Sequence, residues 1–229
     1  MSQPSTLSDY SSYFRTSGFK AAFSLRSFSV RRTSLREAVA HAVELDPSKL
    51  VIPEQVHSNR VTIVSRPGSY AMTDGVLTNN PQLVLTIQVA DCIPMFILDP
   101  VTPCFGLVHA GWRGVAEGIG HQTIERLRDL AAPLDQVRFL LGPSIRLCCF
   151  EVGEEVATQF PRQYIKREKG QRPHVSLQAA LIAQLRQHGV RENQLKDVQK
   201  CTYCNSEEYF SYRREGTRAG RMIGIVGWK

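Results

Sequence analysis

The chain has 229 residues, 42% of them hydrophobic, and 28 Lys and Arg against 21 Asp and Glu give it a net charge of +7. That length suits one globular domain, or at most two small ones, and can bury a core without disulfide staples. No apolar run is long enough to span a bilayer, so no membrane partner is expected. The basic residues are spread over Arg31–Arg32, Lys166–Arg167, Arg213–Arg214, Arg218 and Arg221. A nucleic-acid binder would gather them on one stripe, so a basic surface that favours anionic substrates such as phosphate fits better.

Residues 1–20 read as a flexible N-terminal segment, with a catalytic domain over 21–229. The N-terminus lacks the apolar block of a secretory signal. Phe23, Leu25, Phe28 and Val30 alternate with other residues as in an early strand. Ser34-Leu-Arg-Glu37 predicts a capping box opening a helix that Pro47 ends. Short apolar runs at Leu50–Ile52, Val61–Val64, Leu83–Val89, Ile93–Leu98 and Cys104–Val108 read as strands. The stretch from Leu83 to Leu98 is almost continuously apolar, as buried strands are, and breaks at Asp91-Cys92.

After Val108, the turn His109-Ala-Gly-Trp-Arg-Gly114 leads into a helix carrying Ile119, Ile124, Leu127 and Leu130. A strand, a glycine turn and a helix in that order can present backbone N–H groups to an anion. Phe139–Leu141 is a further strand, and Ser176 caps a helix that Gly189 closes. Tyr209–Arg213 and Met222–Val226 flank Glu215-Gly-Thr as a hairpin. Strands and helices mix without strict alternation, which predicts an α+β fold: a single domain with mixed β-sheets flanked by helices.

Three apolar strands end on a reactive side chain: His57 after Leu50–Ile52, Cys92 after Leu83–Val89, and His109 after Phe105–Val108. Two imidazoles and a thiolate make a three-ligand set for a metal such as zinc, with a fourth position open to water or substrate. No short-range motif ties the three together, and a lone buried Cys or His more often serves packing. Asp91, beside Cys92, is a general base, a residue orienting a ligand, or a turn carboxylate. Arg113 offers a bidentate fork for phosphate or a structural ion pair.

There are six cysteines. Cys148 and Cys149 are adjacent and poorly placed to bond each other, and nothing points to secretion, so free thiols in a cytoplasmic setting are expected. Cys201-Thr-Tyr-Cys204 has a metal spacing but needs a second pair, and none lies nearby in sequence. Two half-buried thiols at a strand end are the simpler reading.

The segments Gln55-Val-His57, Ala90-Asp-Cys-Ile-Pro94, His109-Ala-Gly-Trp-Arg-Gly114, Gly142-Pro-Ser-Ile145 and Cys149-Phe-Glu-Val-Gly153 occur in that order, followed by Cys201-Thr and Phe210-Ser-Tyr-Arg-Arg214. In this the chain closely resembles the YfiH-like family from about Phe23 to its C-terminus. The family carries two descriptions: multicopper polyphenol oxidoreductase (laccase) and purine nucleoside phosphorylase. The resemblance implies metal ligands at His57, Cys92 and His109, and adds Gln55 and Cys149 as substrate-binding candidates. Ser58 stands where glycine is usual, Val89 replaces a frequent Thr, and Arg31 takes the place of an Asn before Arg32.

A multicopper oxidase needs a His₂Cys site plus a histidine-rich three-copper cluster. Six histidines and no H-x-H pair are too few for four coppers. The resemblance then implies a Zn2+-dependent enzyme, with Cu2+ as the other metal the triad suits. It would cleave purine nucleosides (adenosine, inosine, methylthioadenosine) with phosphate and deaminate adenosine. A metal-free Cys92–His109 hydrolase acting on peptidoglycan precursors uses the same residues. A basic binding module without catalysis leaves the strand-end His and Cys unexplained.

Overall fold

The computed structural model describes residues 5–30 and 34–229. The Arg31 and Arg32 positions singled out above lie outside the described residues. Strands β1 (Leu7–Asp9), β2 (Phe19–Ser24), β3 (Leu50–Pro53), β4 (Val61–Ile63), β5 (Gly68–Tyr70), β6 (Gly75–Thr78), β7 (Val84–Val89), β8 (Ile93–Leu98) and β9 (Phe105–Ala110) fill the first half. The second half holds β10 (Arg138–Leu141), β11 (Ile165–Lys166), β12 (His174–Val175), β13 (Leu195–Asp197) and β14 (Met222–Trp228). The helices are α1 (Ser11–Phe14), α2 (Leu35–Ala42), α3 (Trp112–Ala116), α4 (Ile119–Asp129), α5 (Glu154–Ala157), α6 (Leu177–Gln187) and α7 (Tyr212–Glu215).

Two six-stranded mixed sheets carry the fold, in the orders β1-β2-β14-β7-β3-β5 and β13-β10-β8-β9-β6-β4. Side chains alternate across a strand, and both faces of the central strands are apolar. Along β8, Ile93, Met95 and Ile97 turn toward Ile124, Leu127, Leu181 and Leu185 of α4 and α6. Phe96 and Leu98 turn the other way, to meet Leu85, Ile87 and Phe23 of the first sheet. A third cluster, with Val39 and Ala40 of α2 on Val84, Ile223 and Ile225, closes the far face. The result is an α/β/β/α stack in an α+β domain, and it explains the unbroken apolar stretch around Cys92. Among the described residues, no helix is long and apolar enough to cross a membrane.

The capping box at Ser34 and Glu37 forms as the sequence predicts, but α2 ends at Ala42, before Pro47. The early strand begins at Phe19 and ends at Ser24, so of the alternating residues only Phe23 belongs to it. Two further expectations are corrected. The 209–226 hairpin does not form. Ser211 caps α7, and β14 is instead a central strand between β2 and β7, which satisfies both of its edges. Nor is the N-terminal segment a loose tail from residue 5 on: β1 pairs with β2, and Phe14 is fully buried. The Phe14 ring packs edge-on against Phe19, with centroids 5.4 Å apart. Sparse periodicity in a Ser-rich stretch concealed this anchor. Phe14→Ala should therefore cost about 3–5 kcal/mol in urea unfolding, whereas a dispensable tail would leave the midpoint unchanged.

Candidate active site

The three reactive strand ends converge. The ligand atoms of His57, Cys92 and His109 all lie within 4.8 Å of one another. Burial grades across the set: His109 is buried, Cys92 half-buried and His57 exposed. The imidazole rings of His57 and His109 meet edge to face, with centroids 5.0 Å apart. They open into a cleft of about 1120 Å³ that also borders Gln88, Trp112, Arg113 and Phe150.

Asp74, which sequence reasoning missed, holds this arrangement. Its side chain is fully buried just before β6. Its carboxylate accepts from the backbone N–H groups of Val56 (3.3 Å), His57 (3.0 Å) and Ser58 (2.7 Å), and from the Ser58 hydroxyl (2.8 Å). The fifth donor is His109 Nδ1 at 2.9 Å. Burial alone would raise the Asp74 carboxyl, but the donors from His109 and Ser58 hold it below the usual carboxylate range. One carboxylate thus fixes the His57 loop and the His109 ring together. It also sustains a left-handed backbone at His57 (φ 62°), a conformation non-glycine residues rarely adopt. With Nδ1 turned to Asp74, Nε2 of His109 is the nitrogen left to act. The only signal in the sequence was an acidic residue in a turn before a strand, a common surface pattern.

The glycines of His109-Ala-Gly-Trp-Arg-Gly114 have a steric reason. A Cβ at Gly111 would lie 3.1 Å from Cys92 Sγ and 3.2 Å from His57 Cδ2. A Cβ at Gly114 would lie 2.5 Å from the Ser58 carbonyl oxygen. Gly114 leaves no room for a Cβ against the Ser58 backbone, and a Cβ at Gly111 would press on Cys92 and His57 by a few tenths of an ångström. Burial raises the Cys92 thiol, but the imidazoles of His109 and His57 outweigh it and bring the pKa well down. For His109, burial lowers the pKa, while Cys92 and Asp74 together raise it. Two imidazoles and a readily ionised thiol, with one imidazole oriented by a carboxylate, fit a borderline-soft cation such as zinc.

Of the other predicted site residues, Gln55, Asp91 and Arg113 border the same cleft, and the first two also have structural partners. Gln55 Nε2 donates to the Gln88 carbonyl (2.7 Å), and Gln88 N–H donates to Gln55 Oε1 (2.8 Å). The Gln55 amide therefore extends the β3–β7 pairing, and the residue also borders the cleft with one amide N–H left over. Asp91 accepts from Thr202 Oγ1 (2.6 Å) and from the Arg213 N–H at the start of α7 (2.9 Å). Both carboxylate oxygens serve as anchors, the third of the three readings given above. Arg113 borders the cleft and lies over the Trp112 ring at 4.4 Å. Cys149 is not at the cleft: its Sγ lies 3.3 Å from Cys204 Sγ in a separate group of thiols. The Cys149 side chain thus turns to Cys204, while the next residue, Phe150, borders the cleft.

Residues 29–229 match the family described as multi-copper polyphenol oxidoreductase laccase. The chain belongs to that family. A protein of Bacteroides thetaiotaomicron named purine nucleoside phosphorylase is 32% identical over 198 residues, covering 79% of this chain and 73% of that one. Adenosine deaminase RL5, from an unknown prokaryotic organism, is 29% identical over 85% of this chain and 80% of its own. The chain spans about half (54%) of a human relative named purine nucleoside phosphorylase. The crystal structure of YlmD from Geobacillus stearothermophilus superposes with a TM-score of 0.86 at 22% identity, over 93% of each chain, and so shares the fold.

The steric reading of Gly111 is testable by substitution. Gly111→Ala should lose about 1–3 kcal/mol of stability through overpacking against Cys92 and His57, read as a lower midpoint in chemical unfolding. An unchanged midpoint would show that this wall has slack.

Proposed function

We propose that the protein is a purine nucleoside phosphorylase that also deaminates adenosine, working at the His57–Cys92–His109 site. The observation carrying this reading is the triad's position. It faces a cleft bordered by five arginines and four carboxylates together with Trp112, Phe150 and Tyr212, which offers cationic groups to an anionic co-substrate and aromatic faces to a planar base. The names borne by relatives that match most of the chain supply the substrate class.

A zinc ion held by His57, Cys92 and His109 would supply Lewis-acid polarisation of an oxygen on substrate or water. The protein's own groups do the rest. Arg113, stacked on Trp112 at the cleft wall, offers its fork to phosphate. Arg36 also borders the cleft, and among the described residues its Nε has no hydrogen-bond partner. The side chains of Trp112 and Phe150 give a purine ring an apolar surface. In phosphorolysis a phosphate oxygen bonds to ribose C1′ as the bond to N9 breaks. The base leaves with the electron pair and takes up a proton. In deamination, water adds at C6 of adenine and ammonia departs.

The oxidase reading meets a shortage of ligands. Among the described residues, which include all six histidines, the two groups able to hold a metal contain two histidines at most. The metal-free hydrolase reading draws on the Cys92–His109 pair itself, whose shifts favour thiolate and imidazolium. Metal content separates the two: activity that survives removal of all zinc by chelator belongs to the hydrolase.

The direct test incubates the protein with inosine or adenosine, with and without phosphate, and follows release of hypoxanthine or adenine. Release should require phosphate and fall at least about 100-fold in Cys92→Ala and His109→Ala. Arg113→Ala should raise KM for phosphate more than it lowers kcat. If neither nucleoside is consumed, the proposal fails.

A further inference from the structure

Outside the cleft, the fold assembles a second group of soft ligands. The turn after β10 carries Cys148 and Cys149, and the turn after β13 carries Cys201 and Cys204. The two turns are more than fifty residues apart in sequence, yet all four sulfurs lie within 4.8 Å of one another. The adjacent pair is the partner that Cys201-Thr-Tyr-Cys204 lacks in the linear sequence.

The spacing identifies what the group suits. Cys149 Sγ is 3.3 Å from Cys204 Sγ and 3.5 Å from Cys148 Sγ, and Cys148 Sγ is 3.8 Å from Cys204 Sγ. Disulfide sulfurs sit about 2.05 Å apart. Four thiolates about 2.3 Å from a tetrahedral zinc sit about 3.8 Å from one another. The thiols are all free. The separations among Cys148, Cys149 and Cys204 are close to the tetrahedral spacing and far from a bonded one, and Cys201 Sγ lies within 4.8 Å of all three.

The backbone holds the two turns together independently of the sulfurs. Ser144 and Cys201 form a parallel bridge, with Ser144 N–H donating to Lys200 O (3.1 Å) and Thr202 N–H to Ser144 O (3.1 Å). Arg146 clamps Asp197 through two bonds of 2.6 and 2.8 Å. Two arginines tie both arms to their surroundings. Arg214 Nη1 donates to the carbonyls of Thr202 (2.9 Å) and Tyr203 (2.6 Å), inside the second turn. Arg213 Nη1 reaches the Glu151 carbonyl at 2.6 Å, just past the first. Nothing in the chemistry proposed for the cleft uses these thiols.

We propose that Cys148, Cys149, Cys201 and Cys204 form a structural tetrathiolate zinc site that locks the turn before Phe150 to the turn before α7. Four soft ligands leave no open position, so the ion is structural rather than catalytic. Its effect on function is indirect. The two turns it joins lead into Phe150, Glu151 and Arg213 at the cleft wall.

The test is a zinc count on protein purified under reducing conditions from zinc-supplemented cells. Wild type should hold two zinc per chain, with one lost in the Cys148→Ser/Cys204→Ser double variant and the other lost in Cys92→Ala. These two cysteines are exposed, so the double variant avoids opening a packed core. One zinc that resists Cys92→Ala but leaves with Cys148 and Cys204 would sustain this site while removing the metal from the cleft. A second readout does not depend on the double variant folding: X-ray absorption of the Cys92→Ala protein should show four sulfur neighbours at about 2.3 Å from zinc. A wild-type zinc count of one that is insensitive to Cys148 and Cys204 would overturn the proposal. So would a Cys149–Cys204 disulfide in the freshly isolated protein.

Discussion

The Asp74 carboxylate lies where three chain segments meet, closed off from solvent, with five donors around it. A buried anion that has lost its water must recover that loss from protein donors. Here the recovery dictates geometry. The backbone N–H groups from Val56 to Ser58 can all reach Asp74 only if the loop turns back at His57, and this turn brings the imidazole to Cys92. The same carboxylate fixes the His109 ring, while the Asp74 carbonyl accepts from the His109 N–H at 2.7 Å. Two of the three side chains of the triad thus owe their placement to one residue that never meets the cleft.

Much of the fold was legible because its strands are buried on both faces. Runs such as Leu83–Leu98 have few readings other than strand, break, strand. The capping box at Ser34 and the cap at Ser176 were legible because they are local. Failures came where a distant partner decides the outcome. Met222–Trp228 pairs with β2 and β7 rather than folding back on its neighbour. Tyr10 and Phe14 look like a polar tail until their rings meet Phe96 and Phe19.

The site divides in the same way. His57, Cys92 and His109 stood out as reactive residues ending apolar strands, whereas the steric role of the glycines after His109 did not. The supporting roles did not stand out. That Gln55 also completes a strand, and which of its three readings Asp91 meets by holding Thr202 and Arg213, is visible only in the fold. Cys149 joined the active-site candidates through its place in a motif, but its neighbour in space is Cys204. Side chains that act by holding others carry no periodic or spacing signal. Their chemistry exists only in three dimensions.

If Asp74 organises the metal ligands, its replacement should act on the metal more than on the fold. The most direct measurement is the zinc affinity of Asp74→Asn, by chelator competition on protein shown to be folded, in the Cys148→Ser/Cys204→Ser background so that only the triad is read. The account predicts an affinity lower by about 10–100-fold, the range seen when an outer carboxylate behind a ligating histidine is removed. An affinity equal to that of the Asp74 parent would contradict it.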